Sequence, residues 1–317
     1  MIGFCELMDT YAVLIPTRNR PDKVVNLLQS LSNSSIKPSQ IVVVASGIDI
    51  GETISGFKDS LPITYLYTQS KGQIAQKKLG IALVSNHIEW CLFLDDDLEV
   101  SPNAVQDALR EADSYSYDDV AGIGFSLPPS TRTLRINLLV RLIAKLFGID
   151  SNKPGHVARN GHANSYLQEQ TVLETQWLNG ASLWRTSYIY TYGEGIPSTK
   201  YAACEDLIFS YPIGKLRKLL YVPTAKLSFQ DPELSDFDGI DVMKAAAYWR
   251  FYFVSSYPEF SKWNFLFTQI GRTLFATFSG KEMKSKKLIA LFQIVIEIGF
   301  AILKRKDPKK LLTKLVM

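Results

Sequence analysis

Apolar runs and amphipathic stretches alternate through the first 125 residues. Tyr11–Ile15 is a short β-rich run closed by Pro16, and Ile41–Ala45, Ile63–Tyr67, Trp90–Leu94 and Val120–Phe125 are continuous apolar runs. Unbroken runs of this length are what strands covered on both faces require. Between them, Val24, Leu27, Leu28 and Leu31 share one helical face behind Pro21, a residue suited to the first helical position. Lys71–Val84 and Pro102–Ala112 read as further helices. Strands alternating with helices at this spacing predict an α/β fold: a doubly wound, mainly parallel sheet with helices on both faces. In such sheets ligands bind outside the carboxyl ends of the strands, where the loops 16–20, 46–51 and 95–97 would converge.

After Phe125 the alternation stops. Thr133–Phe147 places Ile136, Leu139, Val140, Ile143 and Phe147 on one helical face, opposite Asn137, Arg141 and Lys145. Trp177–Trp184 and Tyr221–Leu227 predict strands separated by a helix around Glu205–Leu216, and the chain beyond Asp238 reads as helical and aromatic. The last apolar run, Leu288–Leu303, holds Gln293 and Glu297 and is shorter than the ~20 apolar residues a membrane-spanning helix needs. Lys286, Gln293, Glu297 and Lys304 share one face of it, leaving a broad apolar stripe opposite. With lysines at both ends, the stripe suits either a membrane interface or the protein's own core.

Charge sharpens that choice. The chain carries a net +4, yet from Lys281 onward ten Lys/Arg face three acids, so the positive charge belongs to the tail. An anionic membrane surface is the partner this favours, and nucleic acid is not expected. Met1–Thr10 has neither a basic n-region nor a long apolar stretch, so no signal peptide is expected. Three scattered cysteines, Cys5, Cys91 and Cys204, predict a reducing compartment rather than a disulfide framework or a zinc site. A cytoplasmic protein, peripheral on the inner face of the cell membrane, is the expectation. His87, His156 and His162 match no zinc spacing and read as loop residues.

Asp95-Asp96-Asp97 directly follows the apolar run Trp90–Leu94. Three adjacent carboxylates repel and raise one another's pKa unless a cation or strong donors neutralise them. Mg2+ is commonly held by one or two carboxylates plus substrate phosphates. The triplet thus marks either a metal–diphosphate site or an acidic turn before the next helix.

Two further segments sit where such a site would need them. Pro16-Thr17-Arg18-Asn19-Arg20 follows the first strand with donors for a nucleotide, and Lys71-Gly72-Gln73 opens a helix that also carries Lys78. A helix N-terminus with nearby amines suits a diphosphate. In this order and spacing the three segments resemble the inverting family 2 glycosyltransferases of GT-A fold. Trp177-Leu178-Asn179-Gly180-Ala181-Ser182-Leu183-Trp184-Arg185 resembles that family's acceptor strand, and Cys204-Glu205-Asp206 its acidic motif. The similarity runs from about Tyr11 to about Gln230, and Tyr248-Trp249-Arg250-Phe251-Tyr252 resembles members that build cell-surface polysaccharide.

The resemblance implies a catalytic domain over 1–237, with a nucleotide-sugar half to about 126 and an acceptor half from about 127, and a helical region over 238–317 able to associate with a membrane. It implies a nucleotide-sugar donor bound by Pro16, Thr17, Arg18, Asn19, Ser46, Lys71, Gln73, Lys78, Asp95 and Asp96. Asp97 would hold Mg2+ or Mn2+ on the diphosphate. Trp177, Asn179, Gly180 and Ala181 would meet a saccharide or lipid-linked saccharide acceptor. Asp206 would be the general base, with Glu205 as the alternative base or an orienting group. Without the motif order, Glu205 and Asp206 are equally acids at a helix start.

The chain departs from the family pattern in three places. Ser46 stands where many members have an acidic pair. Phe229-Gln230-Asp231 stands where many have a histidine ligand, leaving Gln230 or Asp231 as substitutes. Position 211 is Tyr where an Arg is usual, leaving Lys215 or Arg217 to stand in. A dehydrogenase would need G-x-G-x-x-G after the first strand and a nucleotidyltransferase a Gly-rich loop there, but Pro16–Arg20 has no glycine. An aspartyl phosphatase would place its acids after the first strand. The remaining alternative is a membrane-docked binding protein of the same fold that has lost turnover.

Overall fold

The structure, a computed structural model, describes residues 10–128, 145–148, 153–196, 203–231, 239–278 and 285–315. These residues form two compact units. The first draws on the described residues within Met1–Pro129, Leu167–Glu194 and Tyr211–Asp231, the second on those within Ser130–Tyr166, Gly195–Ser210 and Pro232–Met317.

The first unit is built on a nine-stranded sheet. The strands are β1 (Tyr11–Arg18), β2 (Gln40–Ser46), β3 (Ile63–Thr68), β4 (Trp90–Phe93), β5 (Leu98–Val100), β6 (Val120–Ser126), β7 (Leu173–Thr175), β8 (Ser182–Arg185) and β9 (Lys218–Phe229). Their order is β3-β2-β1-β4-β8-β6-β9-β5, with β7 also on β9. β1, β2, β3, β4, β6 and β9 run one way, and β8 lies antiparallel between β4 and β6. The short strands β5 and β7 also run against β9.

Burial explains the continuous apolar runs. Every residue from Tyr11 to Ile15 is fully buried, as are Ile41–Val44 and Trp90–Leu92. Helix α1 (Pro21–Ser32) covers one face with Val24, Leu27, Leu28 and Leu31. Helix α2 (Gln73–Ile81) lies so close to the sheet that a Cβ on Gly80 would stand 2.1 Å from Leu14 Cδ1. Helix α3 (Ala104–Ala112) buries Val105, Ala108 and Leu109. Because β1, β2, β3 and β4 are parallel, the loops after them leave from one edge, as the apolar alternation predicts.

Several boundaries differ from the sequence expectation. The strand expected over Trp177–Trp184 is confined to Ser182–Arg185, because a turn precedes it in which Ser182 Oγ donates to Asn179 O at 2.9 Å. A four-residue helix α4 (Thr186–Ile189) follows it at once. The helix expected from Pro102 starts at Ala104, since Ala104 N closes a turn onto Ser101 O. β5 and β7 were not expected; three residues are too few to show a period.

The second unit is helical: α5 (Glu205–Gly214, whose last turn belongs to the first unit), α6 (Ile240–Ser256), α7 (Lys262–Phe278), α8 (Ser285–Leu303) and α9 (Lys309–Leu312). Its core holds Tyr248, Trp249, Phe251 and Phe253 of α6, Phe265 of α7, and Ala290, Ile294, Ile298 and Ala301 of α8. Leu266, early in α7, lies over Gly299, late in α8, so these neighbours run antiparallel. Glu297 of α8 accepts from Tyr248 Oη at 2.6 Å and pairs with Lys314 Nζ at 2.8 Å. Burial pushes Glu297 up, but these two donors outweigh it and hold the carboxyl below its usual range. Residues 133–144 of the amphipathic stretch Thr133–Phe147 lie outside the described residues; Leu146 and Phe147 lie within them.

Candidate active site

At the carboxyl edge of the first unit, the loop after β4 is clamped to the loop after β1. Thr17 Oγ1 donates to Asp96 Oδ2 at 2.6 Å, and Arg20 Nη1 reaches Asp96 Oδ1 at 3.1 Å and Asp97 Oδ2 at 3.5 Å. Asp96 is thereby the buried anchor of the triplet. Its burial pushes its carboxyl up, against the pull of Thr17 and Arg20. Asp97 is also pushed up, by burial first and then by Asp95 and Asp96, and Arg20 only partly offsets this. Its side chain remains 42% exposed.

Asp95 points the other way, accepting from Gln73 Nε2 at the start of α2 at 2.5 Å. Deeper in α2, Gln76 Nε2 donates to Thr17 O at 2.7 Å and Val44 O at 2.8 Å, fixing the helix to both parallel strands. Gly180 enters from the segment Trp177–Arg185: a Cβ there would lie 4.0 Å from Asp95 Oδ2. Pairing of Phe93 with Ser182 brings Gly180 and Ala181 to this place. Trp177 is half-buried at the start of the segment, its carbonyl receiving Thr175 Oγ1 at 2.9 Å.

The other expected donor residues sit on the same edge in different states. Pro16 is buried inside β1 opposite Val44, while Arg18 and Asn19 are exposed. Asn19 has φ 57° and accepts from Ile48 N at 2.9 Å, bracing the loop after β2. Ser46 is buried, and its hydroxyl has no hydrogen-bond partner among the described residues. Lys71 and Lys78 are exposed, and Lys78 runs over Gly193.

Two residues of this edge escape sequence reasoning. Lys77, beside Lys78, is buried with its amine 5.5 Å from the Phe93 ring centre and 5.8 Å from that of Tyr192. Asp49 follows β2 and accepts from Tyr65 Oη at 2.6 Å and Gly51 N at 2.9 Å. These bonds hold Asp49 below the usual carboxylate range, while burial and Asp49 push Tyr65 up to about 12. An acid thus does follow the second strand, three positions beyond Ser46.

Both substitutes for the histidine ligand already have partners. Gln230 Nε2 donates to Lys23 O, Asp96 O and Leu98 O at 3.0, 3.2 and 3.1 Å, and Gln230 Oε1 accepts from Asn26 at 3.2 Å. Asp231 pairs with Lys23. Gln230 is a lock on the Asp95–Asp97 loop. Among the described residues no group of three or more His, Cys, Asp or Glu is clustered to hold a metal. Asp97 nevertheless suits a hard divalent cation: it is a partly exposed carboxylate whose neighbours leave negative charge in surplus.

Glu205 and Asp206 belong to the second unit, in the first turn of α5, where Asp206 Oδ1 accepts from Leu207 N at 2.8 Å. Cys204, with φ 60°, turns the chain into that helix. Its sulfur meets Arg250 Nη2 at 3.6 Å. Nearby, Arg272 Nη2 donates to His162 Nδ1 at 3.3 Å. Burial, then Arg250 and Arg272, push His162 down to about 4, and burial with Arg250 pushes Arg272 down to about 10. The visible sign of this cluster is Arg250, a charge inside the apolar aromatic run Ala245–Val254. Of the proposed substitutes for an arginine on α5, Lys215 lies over the Tyr211 ring, and Arg217 lines a groove with Thr10, His87, Glu89 and Arg185 at the amino edge of the sheet.

A family profile described as glycosyl transferase family 2 matches residues 12–168. No curated protein sequence matches the chain. Among solved structures, TarS from S. aureus superposes with a TM-score of 0.55 at 13% identity, covering 94% of this chain and 54% of that one, so the chain spans about half of it. TarS 1–349 in complex with UDP-GlcNAc gives 0.55 at 14% identity, over 96% of this chain and 90% of that one. The mannosyltransferase PcManGT from Pyrobaculum calidifontis, in complex with GDP-Man and Mn2+, gives 0.52 at 10% identity, over 96% and 84%. These likenesses establish the GT-A fold. Residues 12–168 belong to glycosyl transferase family 2, and the chain that carries them is a glycosyltransferase.

Proposed function

We propose that this glycosyltransferase is inverting and metal-assisted, moving a sugar from a nucleotide-diphospho-sugar to a hydroxyl of a saccharide or lipid-linked saccharide. The observation that supports it best is the clamp at the carboxyl edge. Thr17 and Arg20 fix Asp96, so that Asp95 turns toward Gln73 and Gly180 while Asp97 keeps an exposed carboxyl.

Pro16, Thr17, Arg18, Asn19 and Ser46 line the place for base and ribose, and Lys71, Gln73 and Lys78 the place for the diphosphate. Asp97, with substrate phosphates and water, would hold Mg2+ or Mn2+, which supplies positive charge to the departing diphosphate. Trp177, Asn179, Gly180 and Ala181 orient the acceptor. Asp206 accepts the proton of the acceptor hydroxyl as its oxygen bonds to the anomeric carbon, and Glu205 orients that hydroxyl. The bond from the anomeric carbon to the diphosphate oxygen breaks, its electron pair leaves with the nucleoside diphosphate, and attack from the opposite face inverts the centre. TarS 1–349 and PcManGT were solved in complex with UDP-GlcNAc and GDP-Man, so uridine and guanosine donors head the panel. The chain works on cell-surface polysaccharide precursors, docked on the cytoplasmic face of the membrane.

The test is slow hydrolysis of a nucleotide-sugar panel by the purified chain with Mn2+, Mg2+ or EDTA, beside Asp97→Ala. Metal-dependent release of one nucleoside diphosphate, lost in the variant, is the expected result. Release that persists in EDTA and in Asp97→Ala would remove the metal from the proposal. No binding of any nucleotide-sugar would bring back the inactive binding protein.

A further inference from the structure

Helix α8 is apolar on two sides. Ala290, Ile294, Ile298 and Ala301 are buried in the second unit, yet Ile289, Phe292, Ile296, Phe300 and Leu303 are each more than half exposed. The exposed set recurs at three- and four-residue steps and so forms one stripe along the outer face. Trp263, Phe267 and Ile270 make a matching exposed stripe on the antiparallel neighbour α7. Phe267 stacks on Phe147 at 4.5 Å between ring centres, beside exposed Leu146. Exposed apolar stripes of this length mark an interaction site.

At the Phe300 end the stripe runs into a cleft of about 400 Å3, lined by Phe300, Lys304, Lys306, Lys310 and Lys314 with Glu297 and Asp307. Glu297 is engaged by Lys314 and Tyr248, and Asp307 accepts from Lys309 N at 2.9 Å. Among the described residues no carboxylate pairs with Lys304, Lys306 or Lys310. Lys304 lies 5.6 Å from the Phe300 ring centre, so amine and aromatic ring share one corner of the surface. No helix among the described residues is long and apolar enough to cross a membrane.

We propose that the outer face of α7 and α8 is the surface on which the chain docks to an anionic phospholipid bilayer. Phe292, Ile296, Phe300 and Leu303 enter the acyl boundary, and the cleft of Lys304, Lys306 and Lys310 takes lipid phosphates. Apolar side chains flanked by unpaired lysines are what an interfacial helix on anionic lipid needs. A second copy fits the charge poorly, because it would bring the same lysines to the same interface. The inference rests on the proposed membrane location and is independent of donor, metal and general base.

The experiment is flotation of the purified full chain with vesicles of phosphatidylcholine alone and of phosphatidylcholine with phosphatidylglycerol. Two variants follow, Phe292→Ser/Phe300→Ser and Lys304→Gln/Lys306→Gln/Lys310→Gln; every substituted side chain is exposed, and melting curves check each fold. Co-flotation with the anionic vesicles alone is expected. The lysine variant should lose roughly a hundredfold in partitioning, and raised salt should reproduce the loss. The phenylalanine variant should also stop floating. Absence of flotation, or flotation unchanged in both variants, overturns the proposal. So does a dimer, measured by light scattering, that the phenylalanine substitutions dissociate without altering flotation. Nucleotide-sugar hydrolysis on the same samples without vesicles reports the transferase chemistry separately.

Discussion

Thr17 donates to Asp96 at 2.6 Å, joining the end of β1 to the loop that follows β4 across 79 positions of sequence. Asp96 is buried, and its carboxyl has two anchors, Thr17 and Arg20. Replacing Thr17 by Val keeps the shape and removes a donor from a buried charge, at a cost of about 2 kcal/mol. Urea unfolding should show that loss in Thr17→Val and little of it in Thr17→Ser. Donor KM should rise in Thr17→Val, because Asp95 and Asp97 lose the anchor between them.

Gln230 carries a second prediction. Its amide group donates to three backbone carbonyls around the acidic loop. Gln230→Glu would face those carbonyls with an oxygen that has no proton to give, leaving unpaired acceptors beside a charge. Stability should fall by about 3 kcal/mol and metal-dependent hydrolysis with it. If Gln230 were instead a ligand, Gln230→Glu would strengthen Mn2+ binding. Titration of Mn2+ by its paramagnetic effect on water relaxation separates the two outcomes.

Gly80 tests how closely α2 is seated. A methyl there would meet Leu14 Cδ1 at 2.1 Å and Val44 Cγ2 at 3.0 Å, inside the core between helix and sheet. Gly80→Ala should therefore destabilise by about 1–3 kcal/mol despite the better helix propensity of alanine. Because Gln73 rides on the same helix, weaker donor binding should accompany the lower midpoint in urea.

Sequence reveals most where a residue's partners are implied by its own neighbourhood. Continuous apolar runs located β1, β2, β4 and β6 because strands covered on both faces need no partner pattern, and that placed the loops at 16–20 and 95–97 on one edge. β3, located by the same kind of run, is an edge strand of the sheet and only half-buried throughout. Lys77 and Lys78 show the limit. They are adjacent and chemically alike, yet Lys77 is buried because Tyr192, more than a hundred positions on, closes over it beside Phe93. Gln230 likewise looks like a ligand in sequence and is a lock in three dimensions, since its acceptors come from Lys23 and from Asp96 and Leu98. The stripe on α8 was readable, but which residues stayed outside was not: both of its apolar faces satisfy the same helical period.

His162 makes the stability of the second unit depend on pH in a predictable direction. Its Nδ1 accepts from Arg272 at 3.3 Å, which requires a neutral ring nitrogen, and Arg250 adds a second cation. A protonated imidazole would lose that acceptor and meet two guanidinium groups in a largely buried place, which is why the folded pKa lies near 4 against 6.5 for the free side chain. Above pH 6.5 both folded and unfolded states hold His162 neutral, so it adds no slope there. Between pH 6.5 and 4 the unfolded chain takes up the proton and the folded chain does not, so stability falls as pH falls. Below pH 4 both states are protonated and the loss, about 3 kcal/mol over the whole window, is complete. Asp49 and Glu297, both held below their usual range, lose their contributions at lower pH than this window begins. His162→Gln keeps an acceptor for Arg272 and removes the titrating ring. Melting temperatures of the two proteins should therefore converge near neutrality and separate toward pH 5, with the Gln variant the more stable there; parallel melting curves at both pH values would place His162 outside the titration.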